Sequence, residues 1–270
     1  MAMIAFLERL PLWLLAIVLN ASLMGSALVG LWIFSRHVLP RLHLNLHNAY
    51  YVAPLMQESM LLYSLVAALT AVGVWTRYSD VSRVVSAEAT AITTLWRDLD
   101  GYPEPLAGSM RDVLRGYTDQ VIHNAWPQLK QGQIPSEGVE WMNRLQSLLY
   151  AFEPGTEGQK VLHAETLRAF NHLVEERRQR LDAAQGSLPG VIWFVLLGGA
   201  VAGITLGQFF YVENARLKAC MLLGLAASLA MVLLVIFALD TPFTGDMSIG
   251  PESYQLIYDQ HMTGGSAATR

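Results

Sequence analysis

Four stretches of the chain are apolar for long enough to cross a lipid bilayer, and nothing else in the sequence constrains its fold as strongly. They are residues 11–34, 55–75, 188–211 and 217–239. A helix needs about 20 apolar residues to span roughly 30 Å of hydrocarbon, and each stretch reaches that length. A backbone inside lipid must satisfy its own hydrogen bonds, so these stretches are read as helices. The first is too long for a signal-peptide core of about 7–15 residues and reads as a retained membrane helix. The second follows Pro54, a residue that suits a helix start. Only Val212–Arg216 separates the third from the fourth, a tight hairpin. The expected fold is all-α and multi-pass: four transmembrane helices, a helical insert over 76–187 between the second and third, and a tail over 240–270.

The composition agrees. Charged residues make up 15% of the 270, against about 25% in ordinary soluble domains. The mean hydropathy of +0.34 averages apolar spans with a polar middle. Four spans put both termini and the insert on one side. That side carries Arg9, Arg77, Arg83, Arg177, Arg178 and Arg180 near the membrane, while the other carries Arg36, Arg41, Arg216 and Lys218. The positive-inside bias therefore predicts an inner-membrane protein with the insert and both termini cytoplasmic.

The insert has helical periodicity. Over 77–99, Val81, Val84, Val85, Ile92, Leu95 and Leu99 form one stripe. Gly101–Pro105 breaks it, and further helices are expected over 106–126, 136–152 and 156–185. The first and last of these four insert helices continue membrane helices and are expected to pack as an antiparallel stalk. Glu88 interrupts the apolar stripe, and a buried carboxylate there needs a cation. Counting about 1.5 Å per residue from both membrane ends matches its height to Arg177, so a Glu88–Arg177 pair is expected. The run Glu175–Arg180 otherwise reads as a solvated face with Glu176 pairing to Arg180.

Several chemistries are excluded. A net charge of −4 without a basic aromatic patch argues against nucleic acid. The single cysteine, Cys220, allows neither an internal disulfide nor a cysteine metal site. No catalytic serine arrangement, phosphate loop or dinucleotide fingerprint is present, so neither an enzyme nor a cofactor is expected. His37, His43 and His47 cluster in the first loop, with His43 and His47 one helical turn apart. The neighbouring Arg36 and Arg41 would repel a metal ion, and interfacial histidines are the simpler reading.

Polar groups within the spans are few: Asn20, Gln57, Glu58 and Gln208. Asn20 and Glu58 are candidates for an ion pathway, although Asn20 equally suits interhelical hydrogen bonding and Glu58 the headgroup level. Gly199, Gly203 and Gly207 fall at every fourth position of the third span. Ser22, Ser26 and Gly30 repeat the pattern in the first, and Gly224 with Ser228 echoes it in the fourth. Such seams join helices in lipid, either within one subunit or between subunits.

Arg177-Arg178-Gln179-Arg180-Leu181, Leu188-Pro189, Trp193 with the glycine run, and Asp240-Thr241-Pro242-Phe243-Thr244-Gly245-Asp246 with Pro251 resemble the bacterial bestrophin-like domain-of-unknown-function family, distant relatives of bestrophin channels. Glu88-Ala89 and Tyr117 with Trp126 fit the same pattern. The resemblance implies a multi-pass protein that assembles as a ring around an ion pathway. The expected function is a homo-oligomeric ion channel or channel-like pore, with the lipid bilayer and small inorganic ions as partners. The rival is a non-conducting signalling or scaffold protein whose insert binds a partner.

Overall fold

A computed structural model describes residues 11–38, 41, 46–210 and 212–263. Arg9, His43, Tyr211 and the end of the tail, 264–270, lie outside the described residues. Those described are all-helical, with connecting turns and no strand. The helices are α1 (Leu12–Ile33), α2 (Leu46–Leu99), α3 (Leu106–Gln120), α4 (Trp126–Lys130), α5 (Gly138–Tyr150), α6 (Glu157–Gln185), α7 (Gly190–Gln208), α8 (Ala215–Asp240) and α9 (Glu252–Ile257). Single π turns extend α1 over Phe34–Val38, join α3 to α4 over Val121–Ala125, and follow α9 over Tyr258–Met262. Segments long and apolar enough to cross a membrane lie within Leu12–Val38, Val52–Leu99, Glu157–Gln208 and Ala215–Asp240.

The chain divides into two compact units. The membrane unit comprises Met1–Arg77, Ser187–Asp240 and Gly245–Met247. In it α1 packs along α8 and touches α7. Leu15, Leu23 and Ala27 of α1, Leu196, Ala200 and Ile204 of α7, and Leu222, Ala226, Ala230 and Leu233 of α8 are buried. The alanines among them let backbones approach, which is how helices gain contact where lipid is as apolar as leucine. Tryptophans, leucines and valines cover the outside, with Trp13, Trp32, Leu62 and Phe194 more than half exposed.

The second unit comprises Tyr78–Gly186, Thr241–Thr244 and the segment from Ser248 onward. Its core joins Val81, Ile92, Leu95 and Leu99 of α2 to Met110 and Leu114 of α3, Leu145 and Leu149 of α5, and Phe170 and Leu173 of α6. Each such side chain contributes about 1.5–3 kcal/mol on burial. The exposed ion pairs around it, such as Lys160–Glu157 at 2.7 Å, contribute about 0–1 kcal/mol. Packing therefore holds this unit. Thr156 caps α6 with a reciprocal box, its hydroxyl accepting from the Gln159 N–H at 3.2 Å.

Three expectations about the elements change. Pro54 lies inside α2 rather than at its start. Proline at a helix start is a preference, and an interior one costs a backbone bond without ending the helix when both sides are packed or apolar. The long insert helix α6 stops at Gln185, and residues 186–189 separate it from α7. The tail is part of the insert's core: Phe243, Tyr254 and Met262 are each under 6% exposed. Arg115 holds its end by donating from Nε to the Met262 carbonyl at 3.0 Å.

Candidate functional site

Glu88 sits on the buried face of α2 with no exposed surface. Arg180 of α6 donates from Nε to Oε2 at 2.6 Å and from Nη2 to Oε1 at 3.2 Å, and Tyr117 of α3 donates its hydroxyl to Oε1 at 2.5 Å. This two-point guanidinium contact is the strong form of a carboxylate pair. The Arg180 guanidinium lies 5.6 Å from the centre of the Trp126 ring. Trp126 in turn packs on Phe243 at 5.8 Å and Tyr254 at 5.3 Å, and its Nε1 donates to the Ile249 carbonyl at 3.1 Å. Burial, and next the Glu88 charge, push the Tyr117 and Tyr254 hydroxyls above their usual range, while Arg180 pulls them back. With both oxygens engaged, the carboxylate is held in place.

The expected Glu88–Arg177 pair is thus corrected to Glu88–Arg180. Arg177 lies against Gly138, where an added Cβ would come within 3.1 Å of its guanidinium. Height counting fell three residues short of Arg180, about 4.5 Å or nearly one turn of α6. A signal was available. Arg180 follows Leu173 by seven residues, about 20° off its direction, whereas Arg177 is about 40° off. The solvated-face reading fails for the same residue, since Arg180 is 1% exposed and Glu176 instead faces His172 at 3.7 Å. Tyr254 carried no such signal, because nothing in a short tail helix reveals which core it enters.

In the membrane unit, a Cβ added to Gly203 would meet Met60 at 2.6 Å, and one at Gly207 would meet Leu222 at 2.8 Å. Gly199 abuts the Tyr63 ring in the same way. This seam therefore packs α7 onto α2 and α8 of the same chain. Gly30 faces the Gln208 amide, while Ser22, Ser26, Gly224 and Ser228 are exposed or half-exposed. Asn20 spends its amide on Ala16 O of its own helix at 2.9 Å. Glu58 is exposed between the levels of Met56 and Met60, which flank Gly207 and Gly203. It therefore sits about one turn inside the end of α7. His37 is exposed on the π turn; the side chain of His47 is outside the described residues.

The aspartates of the tail motif tie helix ends together. Asp240 accepts from the Leu188 N–H at 2.7 Å and from Trp193 Nε1 at 3.3 Å, with Arg77 at 3.8 Å. Asp246 accepts from the Leu12 N–H at 2.7 Å, capping the start of α1.

One face of α2 stays uncovered along its length. Glu58, Leu62, Leu65, Leu69, Val72, Thr76, Ser79, Arg83, Ser86 and Thr90 alternate at spacings of four and three, and all are exposed. The face is apolar from Leu62 to Val72 and then turns to hydroxyls with one arginine, Arg83, which pairs with the neighbouring Asp80.

Residues 11–254 match the family model of the Bestrophin-like domain. Two crystal structures share the fold. One is of a membrane protein carrying a point substitution, with a TM-score of 0.67 and 11% identity over 90% of this chain and 97% of that one. The other is a variant of a bacterial Bestrophin homolog from Klebsiella pneumoniae, with a TM-score of 0.65 and 11% identity over 90% and 98%. No curated protein matches the sequence significantly.

Proposed function

The chain belongs to the bestrophin-like family, and from that premise we propose that it is a homo-oligomeric ion channel of the inner membrane whose pore is lined by α2. The exposed face from Glu58 to Thr90 is the observation that carries the proposal. A spacing of four and three is the 3.5-residue repeat by which copies of one helix keep the same side towards a common axis. An apolar section followed by hydroxyls suits a pore better than a dry seam. Leu62, Leu65, Leu69 and Val72 would form a constriction that gates by dewetting, and Thr76, Ser79, Ser86 and Thr90 a wetted passage. Glu58 heads the same face, where a ring of carboxylates concentrates cations. Asn20, half-buried in α1, is the second polar group at membrane depth in this reading.

Purified protein in planar bilayers tests the proposal. Unitary currents are expected, with Leu65→Thr raising conductance or open time by easing wetting, and Glu58→Gln shifting the reversal potential in a salt gradient. A silent bilayer from folded, oligomeric protein, together with a silent Leu65→Thr, would favour the non-conducting scaffold reading.

A further inference from the structure

We propose that the groove between α1 and α7 binds an anionic glycerophospholipid, which lays one acyl chain along the groove and sets its phosphate against Lys218 and Arg36. The groove encloses about 330 Å³ and is walled by Ile33, Phe34, Val201, Ile204, Thr205 and Gln208. Thr205 spends its hydroxyl on Val201 O of its own helix at 2.7 Å, so the walls present almost only hydrocarbon. In a bilayer the molecule available to fill such a groove is a lipid chain.

The charge at one end selects the head group. Lys218 donates to the Gln208 carbonyl at 2.7 Å and stands 5.4 Å from the centre of the Phe34 ring, so it touches two of the walls. An ammonium has three donors, and a phosphate oxygen can take another. Arg36 is exposed on the π turn that begins with the wall residue Phe34. Among the described residues no carboxylate lines the groove to compete with a phosphate. The third observation is Gln208, which is 3% exposed. Its Nε2 donates to the Ala27 carbonyl at 3.1 Å, and its buried Oε1 has no donor among the described residues. A hydroxyl on the lipid head group supplies that donor, so a glycerol head group fits better than choline.

Native mass spectrometry of the detergent-solubilised full chain, mixed with equimolar phosphatidylglycerol and phosphatidylcholine, tests the site. Wild type is expected to retain phosphatidylglycerol preferentially. Lys218→Gln and Arg36→Gln each lower that preference about fivefold, the effect of one basic residue near a lipid surface. Lys218→Arg, which keeps the charge, retains it. Val201→Trp fills the groove from a position 55% exposed and removes the bound lipid while leaving the oligomer mass unchanged. Equal retention of both lipids by wild type overturns the proposal, as does a Val201→Trp protein that keeps its phosphatidylglycerol. A Val201→Trp protein that falls to a smaller oligomer would assign the groove to a second copy of the chain.

Discussion

Replacing Arg180 by methionine keeps most of the side chain's apolar stem but removes two of the donors that hold Glu88, while the Tyr117 hydroxyl stays. Glu88 is 0% and Arg180 1% exposed, so the charge left behind cannot be rescued by water. Breaking a pair in that setting costs about 3–5 kcal/mol, whereas an exposed pair is worth no more than about 1 kcal/mol. For a chain of this size that corresponds to a fall of about 6–20 °C in thermal midpoint. The assay is thermal unfolding of the detergent-solubilised full chain, followed by tryptophan fluorescence, because Trp126 lies under the Arg180 guanidinium. Arg177→Met is the comparator and is expected to cost no more than about 1 kcal/mol. In a double-mutant cycle, Glu88→Gln with Arg180→Met should lose at least about 2 kcal/mol less than the sum of the single losses. Additive losses, or an Arg177→Met loss equal to that of Arg180→Met, would refute the assignment of the pair.

Three further outcomes are expected. The raised Tyr117 and Tyr254 hydroxyls hold their protons more tightly in the folded chain, so their contribution to stability is complete below the ordinary tyrosine value of 10.0 and is lost as pH rises above it. Thermal midpoints measured from about pH 8 to about pH 11.5 should fall at the alkaline end, and less so in Tyr117→Phe and Tyr254→Phe. Gly203→Leu should overpack Met60 and destabilise the chain by about 1–3 kcal/mol with no change in oligomer mass; mass photometry showing dissociation at unchanged stability would place the seam between subunits. In a Cys220→Ala background, cysteine at Asn214 should react with an impermeant maleimide in intact cells and cysteine at Ser136 should not. The reverse pattern would overturn the cytoplasmic placement of the insert.

What the sequence determined by itself was whatever follows from length and periodicity. The all-helical class and the four candidate spans were legible, since apolar runs and helical stripes are properties of neighbouring residues, whereas the start of α2 at Leu46, ahead of Pro54, was not. The break at Gly101–Pro105 was local chemistry and equally legible. Glu88 stands out as a charge on an apolar stripe, whereas Tyr117 and Trp126 enter only through the family resemblance. Their common site was not legible, because it depends on how α2, α3, α6 and the tail are rotated towards one another. A helix presents a new side chain every 100° or so, and an error of one turn exchanges Arg177 for Arg180. The glycines of α7 could be recognised as a seam, but whether Met60 and Leu222 of the same chain filled it depended on packing between distant segments. The tail was harder still. Tyr254 and Met262 come from a short segment whose stabilisation comes almost wholly from the core it enters, and the burial of a side chain in a distant core leaves no periodic trace in its own neighbourhood.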